Sequence, residues 1–321
     1  MSEVAATEAT AIGIDVGGTK IAAMRVGADG VILARETVPT PADDMAATLD
    51  AMVGAARAVV AGDVRAAGVG AAGLVEFATG TLTFAPNLAW RDAHISAYVG
   101  DALGLPVLTD NDANVAAWAE FRFGAGKGYG DMLLVTVGTG IGGGIVSDGR
   151  LFRGAHGFAA EIGHIIVEPN GPLCGCGNNG CWEQVASGHA ITRAGRAAAR
   201  EHPHSLIARM AAGDPANVTG PLVTDAAQQG DDVARRILAE VGRRLGEGIA
   251  GLVNVLDPEV VVVGGGAIAA GHLLLDPASA SFVDAVEAPE HRPEVPLVAA
   301  AMGNDAGAVG AATLALEELV R

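Results

Sequence analysis

Apolar positions recur in short runs over Ala11–Asp15 and Ile21–Val26, separated by Val16-Gly-Gly-Thr-Lys20. This spacing predicts two strands joined by a glycine turn. A third strand, Val31–Val38, is expected after the Ala28–Gly30 turn. Met45, Leu49, Met52, Val53 and Val59 then share one face of a helix over Met45–Ala61, entered through Pro39–Asp44. Strands are expected at Ala67–Ala71 and Val107–Thr109, with a helix at Ser96–Leu103 between them. Asn111–Phe121 predicts another helix, with Asp112 in its first turn.

The Gly-rich stretch Gly124–Gly130 predicts a crossing between domains. Beyond it the same order restarts, with a strand at Met132–Val137, a loop at Gly138–Gly144 and a strand at Ile145–Ser147. Helical stretches follow at Ala190–Arg200, Asp225–Gln229 and Asp232–Asn254. Val260–Val263 is a wholly apolar strand that runs into Gly264-Gly-Gly266. Strand, glycine turn and strand therefore occur near residues 12–26 and again near 132–147. The repetition predicts two related α/β halves that face a shared ligand.

Composition narrows the classes. A length of 321 residues suits two domains. Half the residues are hydrophobic but 4% are aromatic, so the cores must be built from Ala, Val, Leu and Ile. Against 20 Lys and Arg stand 37 Asp and Glu, a net charge of −17 that argues against nucleic acid as a partner. It also means that any bound phosphate needs local backbone donors or a metal. The longest apolar stretch, Val260–Gly271, holds four glycines and is shorter than the ~20 residues a bilayer span requires. No basic segment opens the chain, so neither a secretory signal nor a membrane partner is expected. Cys174, Cys176 and Cys181 lie within eight residues, an odd cluster that favours a metal in a reducing cytoplasm over disulfides.

Three glycine turns have phosphate-binding character. In Asp15-Val-Gly-Gly-Thr-Lys20, the amides of Gly17 and Gly18 can close on an anion, while Thr19 and Lys20 add side-chain donors. Asp15, at the strand's end, could hold Mg²⁺ through water. An ordinary tight hairpin would read the same way. It is not a P-loop, because a strand rather than a helix follows. The second turn, Gly138-Thr139-Gly140 onward, contains G-x-G-x-x-G, but the strand after it disfavours a dinucleotide fold. The third is Gly264-Gly265-Gly266. Three such turns within one repeated pattern point to an ATP site.

Thr109-Asp-Asn-Asp-Ala-Asn114 leaves a strand and opens a helix. Asp110 or Asn111 could serve as its cap. A carboxylate held there, Asp112, suits a general base that takes the proton of a hydroxyl attacking phosphorus. Glu161-Ile-Gly-His164 precedes Cys174-Gly-Cys-Gly-Asn-Asn-Gly-Cys-Trp-Glu183. His164, Cys174, Cys176 and Cys181 form a Cys₃His set, the usual ligand set of a closed structural zinc. Glu161 and Glu183 bracket it and could accept hydrogen bonds from sugar hydroxyls.

Together these motifs resemble the ROK family of bacterial sugar kinases and related repressors, within the actin-like ATPase superfamily. The resemblance runs from Asp15-Val-Gly-Gly-Thr-Lys20 to Gly303-Asn-Asp-Ala-Gly307, and the Leu173–Gln184 wording is most similar to the family's actinobacterial ATP-dependent glucokinases. It implies two ribonuclease-H-like α/β domains around a central cleft, with the zinc loop in the second. The expected boundaries are 1–114 plus 303–321 and 115–302, with a C-terminal helix near Ala306–Arg321 returning to the first. It further implies that ATP, with Mg²⁺ across its phosphates, phosphorylates the 6-hydroxyl of glucose with Asp112 as base. Asn111, Glu161, His164 and Glu183 would hold other hydroxyls, with one His164 ring nitrogen on zinc and the other toward the sugar. Gly73 and Asn87 match further positions near the sugar, although Ala72 stands where the family commonly has proline. N-acetylmannosamine, N-acetylglucosamine, fructose and allose are alternative sugars, and a homodimer or homotetramer is expected. A sugar-responsive repressor would carry a winged helix-turn-helix, for which the fourteen residues before Asp15 leave no room. An assembling or chaperone-like actin relative would need neither the zinc loop nor Asp112.

Overall fold

The structure, a computed structural model, describes residues 9–85 and 90–320. It opens with β1 (Thr10–Val16), β2 (Lys20–Gly27) and β3 (Ile32–Pro39), followed by α1 (Met45–Val59) and β4 (Val64–Ala71). Next come β5 (Leu74–Glu76), β6 (Thr81–Phe84), β7 (Arg91–His94), α2 (Ile95–Leu103), β8 (Val107–Asn111) and α3 (Asp112–Phe123). The middle of the chain holds β9 (Met132–Val137), β10 (Ile141–Ser147), β11 (Arg150–Leu151), α4 (Glu183–Ala186), α5 (Gly188–Glu201), α6 (Leu206–Met210) and α7 (Gly220–Gln228). It closes with α8 (Asp232–Leu256), β12 (Val260–Gly264), α9 (His272–Ala285), β13 (Leu297–Ala299) and α10 (Ala306–Leu319).

The first sheet has the order β3-β2-β1-β4-β8, antiparallel through β3, β2 and β1, then parallel through β4 and β8. The second has the order β11-β10-β9-β12-β13, so the strands of the second half occupy the same ordinal places. This is the expected repeat of two ribonuclease-H-like halves, and the fold is the actin-like ATPase fold. A small antiparallel sheet, β5-β6-β7, occupies a region to which the sequence pattern assigned no element. Its strands are three or four residues long, too short for periodicity to register.

Residue contacts form two units: Met1–Leu134, Gly143–Ala160 and Ala300–Arg321, and Val135–Gly142 with Glu161–Ala299. The sequence-based boundaries differ in assigning 115–134, 143–160 and 300–302 to the second half. Gly124–Gly130 is no crossing but part of the first unit, because the 1%-exposed Glu120 folds it back onto α3. The Glu120 carboxylate accepts from Ala125 N at 2.9 Å and from Ala301 N and Met302 N at 3.1 and 2.7 Å. One residue thereby gathers two loops of the unit.

In the first unit, side chains alternate across the sheet. Ile12, Ile14 and Val69 pack with Leu49, Met52 and Val53 of α1. Ala11, Met24 and Ala66 pack on the other face with Trp118 of α3 and Ala308 and Val309 of α10. α10 is buried on nearly every side from Ala306 to Leu316, which suits its almost uninterrupted apolar sequence. Gly13 and Gly68 lie under it, where a Cβ would overlap the carbonyls of Ala308 and Ala311. Where Gly13 and Gly68 meet α10, backbone approaches backbone, consistent with the Ala-rich composition of that helix.

In the second unit, α5, α7 and α8 enclose Ile191, Val223, Leu238 and Leu274. α7 begins at Gly220, earlier than the expected Asp225, because Thr219 caps it and Pro221 is tolerated in its first turn. α9 escaped the sequence pattern because Pro277 interrupts it. Among the described residues no helix is long and apolar enough to cross a membrane.

Candidate active site

In the first unit, β1 delivers Asp15 to the start of an exposed turn, Gly17 to Thr19. Gly17 N donates to Lys20 O at 3.0 Å, and Thr40 braces the turn through Oγ1 to Gly17 O (2.7 Å) and N to Thr19 O (3.1 Å). Gly18, Thr19 and Lys20 are exposed, as an anion-binding turn requires. Gly307 of α10 backs Asp15 so closely that a Cβ would lie 2.8 Å from its carboxyl carbon. Burial, and then the charge of Asp112, push the Asp15 carboxyl up to about 6, while Lys20 pulls the other way. Burial also holds Asp112 above the usual carboxylate range, against a 2.9 Å hydrogen bond from Ala113 N. Two part-buried carboxylates that raise the cost of ionisation in this way fit a divalent cation as their neutralising partner.

Asn111, not Asp110, caps α3: its Oδ1 accepts from Ala113 N at 2.8 Å and Asn114 N at 3.2 Å. Its Nδ2 donates to Gly73 O at 3.1 Å, which joins two of the expected sugar-binding positions. Gly73 has φ +134°, and a Cβ there would strike Phe84 O, so glycine is required. Asn87 lies outside the described residues.

In the second unit, Glu161 enters a 3₁₀ turn, Ile162–His164. His164 Nδ1 lies 3.6 Å from Cys174 Sγ and 4.0 Å from Glu183 Oε1, whereas Nε2 lies 3.9 Å from Glu161 Oε2. Cys176 and Cys181 sulfurs are 3.6 Å apart, and the four ligand atoms of His164, Cys174, Cys176 and Cys181 lie within 4.8 Å of one another. A tetrahedral zinc at a Zn–S distance of about 2.3 Å would separate sulfurs by about 3.8 Å. The donor set therefore fits zinc in kind and size. Burial pushes the Cys174 thiol up, and Glu183, 3.0 Å away, acts in the same direction. A bound metal resolves that conflict by replacing the proton. Trp182, buried between Cys181 and Glu183, donates from Nε1 to Arg244 O at 3.0 Å and anchors the loop to α8.

The turns after β9 and β12 come together because these strands are neighbours in the sheet. Gly138 N bonds Gly140 O at 3.0 Å, while Gly188 N and His189 N donate to Gly138 O and Thr139 O at 2.9 and 3.1 Å. The phosphate-type turn is thus docked on the start of α5. A Cβ on Gly140 would collide with Glu183 Oε2, so the turn also abuts an expected sugar ligand. Gly264 ends β12, and Gly265, with Gly266 after it, packs against the Val137 backbone; a Cβ on Gly265 would lie 2.6 Å from Val137 C. The expected loop Gly138–Gly144 is shorter than the sequence suggested. β10 already begins at Ile141, and its glycines let it approach α3, where a Cβ on Gly144 would lie 2.8 Å from Ala113 O.

Sequence reasoning passed over Arg153, whose Nε donates to the buried Asp110 at 2.6 Å. No local pattern links the two, since they are 43 positions apart.

The sequence model of the ROK family matches residues 11–318. This chain belongs to the ROK family. It is 44% identical over 309 residues to a glucokinase of Streptomyces coelicolor, covering 95% of this chain and 97% of that one. It is 34% identical over 314 residues to an N-acetylmannosamine kinase of Escherichia coli, covering 97% and 100%. Among solved structures, a ROK family glucokinase from Streptomyces griseus, in complex with glucose and AMPPNP, superposes with a TM-score of 0.87 at 44% identity, covering 96% of this chain and 99% of that one.

Proposed function

We propose that this ROK protein is a cytoplasmic ATP-dependent glucokinase that forms glucose 6-phosphate and ADP. The observation that carries the reading is the carboxyl pair, Asp15 on β1 and Asp112 at the head of α3, whose proton affinities burial raises. A base with raised proton affinity takes a hydroxyl proton more readily near neutral pH. Asp112 receives the proton of the glucose 6-hydroxyl as that oxygen attacks the γ-phosphorus and ADP leaves. Asp15 would hold Mg²⁺, which would supply charge neutralisation for the transfer.

The Gly17 amide is spent on Lys20 O within the turn, so the Gly18 amide, with Thr19 and Lys20, cradles phosphate, and Gly138, Thr139, Gly140 and Gly264 to Gly266 seat the rest of the nucleotide. Asn111 already spends Oδ1 on its cap and one Nδ2 proton on Gly73 O, leaving one donor for a hydroxyl. Glu161 and Glu183 accept from the remaining hydroxyls, and Gly73 lines the sugar. His164 turns Nδ1 toward the cysteines and Nε2 toward Glu161, as expected of a residue shared between zinc and sugar.

The 44% identity to the Streptomyces coelicolor glucokinase exceeds the 34% identity to the Escherichia coli N-acetylmannosamine kinase, which favours glucose among the hexoses. The net charge of −17 speaks against a DNA-binding repressor. Assembly into a homodimer or homotetramer belongs to the same proposal and is read by light scattering. Phosphorus and carbon NMR of the products tests the chemistry. A phosphate ester on carbon 6 of glucose, formed with ADP, is expected; phosphate at another carbon, or ADP without sugar phosphate, would refute it.

A further inference from the structure

Asp110 is the penultimate residue of β8 and is 1% exposed. Its Oδ1 accepts from Asn111 N at 2.8 Å and from Asn114 Nδ2 at 2.9 Å, one residue on either side of Asp112–Ala113. Its Oδ2 is taken by Arg153 Nε at 2.6 Å. The same guanidinium reaches Glu318 Oε1 through NH2 at 2.8 Å and sits over Phe77, its carbon 3.8 Å from the ring centroid. Arg153 itself is 14% exposed.

A buried carboxylate is held in place when each oxygen has a hydrogen-bond donor. Both oxygens of Asp110 do, and through them it spans the strand-to-helix corner that presents Asp112. Asn114 Oδ1 finds no partner among the described residues, so its side chain is held from the Nδ2 end, by Asp110. The orientation of that corner therefore depends on where Asp110 sits, and Arg153 sets that position. The guanidinium bonds Asp110 from Nε and Glu318 from NH2 while its carbon sits over Phe77, a spread of donors that the single ammonium nitrogen of lysine does not reproduce.

We infer that Arg153 is a positioning residue for phosphoryl transfer, acting through Asp110 on Asp112. The inference rests on the reading of Asp112 as the base. Arg153 touches neither Asp112 nor, in this scheme, any substrate. Its loss should tilt Asp112 away from the line of the attacking hydroxyl, and misplacement by about 1 Å can cost about 100-fold in rate.

The test is a double-mutant cycle in kcat with Arg153→Lys, Asp112→Asn and the pair, with KM recorded for glucose and ATP. Arg153→Lys alone should lower kcat by roughly 10- to 100-fold and change either KM by less than about threefold. In the Asp112→Asn background the same substitution should lower the residual rate by less than about twofold, because the group being positioned is already gone. Three results overturn the inference: unchanged kcat in Arg153→Lys, a rise in KM with kcat preserved, or equal loss in both backgrounds, the mark of a merely structural role. A near-normal kcat in Asp112→Asn alone instead removes the base reading and this inference with it. If Arg153→Lys fails to fold, Glu318→Gln, which frees the more exposed end of the guanidinium, should give a smaller loss of kcat with the same non-additivity. Full activity in that variant would be equally decisive against it.

Discussion

Replacing Asp15 by Asn should make the protein more stable while disabling it. Burial and the neighbouring Asp112 charge raise the Asp15 carboxyl from 3.8 to about 6. One pH unit of such a displacement corresponds to about 1.36 kcal/mol, so ionised Asp15 destabilises the folded protein by about 3 kcal/mol when metal is absent. Because the folded-state value lies above the unfolded one, protonation favours the native state. The penalty is absent below pH about 4, grows as pH rises through about 6, and is complete above about 7. Asn has nearly the same shape, fits beneath Gly307, and carries no charge to desolvate. Urea unfolding with chelator present should therefore show Asp15→Asn more stable than wild type by about 3 kcal/mol at pH 8 and by about half that at pH 5. The same variant should lose most kinase activity, since it gives up the carboxylate proposed to hold Mg²⁺. Equal stability at pH 8, or a gain that grows toward acid, would refute the reasoning about the pair.

Asp112→Asn should fold and bind glucose yet lose about 10²- to 10⁴-fold in kcat, and wild-type kcat/KM should fall on the acid side at a pH above the ordinary carboxylate range, both read by ADP release. Gly140→Ala should leave the melting temperature within a few degrees but raise the glucose KM at least about tenfold, because the added methyl displaces the flexible end of Glu183. Cys176→Ser should lower zinc content by elemental analysis together with activity, since the loop that carries His164 and Glu183 loses a ligand. Ala160→Gly should stabilise by about 1 kcal/mol in urea unfolding, because Ala160 holds φ +67°, a conformation costly for any residue with a Cβ.

The sequence was most legible where one local rule decided the outcome. Long periodic segments such as α1 and α8 end within two residues of their expected limits, and the Cys₃His cluster follows from ligand type and spacing alone. The β1–β2 turn was readable because its donors are contiguous. What escaped was set by distant partners. Glu120 folds Gly124–Gly130 back because it also binds Ala301 and Met302, about 180 positions away, and no window contains both ends. The glycines of β10 read as a loop, since the reason for them, the approach of α3, lies outside the segment. Asn111 was counted only as a sugar ligand or a possible cap, and its amide turns out to support Gly73 as well.

Discrimination among hexoses is the most direct test of the central claim. In the proposed site Glu161, His164 and Glu183 would each meet a sugar hydroxyl, and a sugar that mismatches a partly buried polar group there costs about 1–3 kcal/mol. Two mismatches at the low end already amount to about 30-fold. The measurement is kcat/KM by coupled ADP release, for glucose and for N-acetylmannosamine under identical conditions. A preference for glucose of at least about 30-fold is predicted. Equal values, or a preference for N-acetylmannosamine, would contradict the glucokinase assignment.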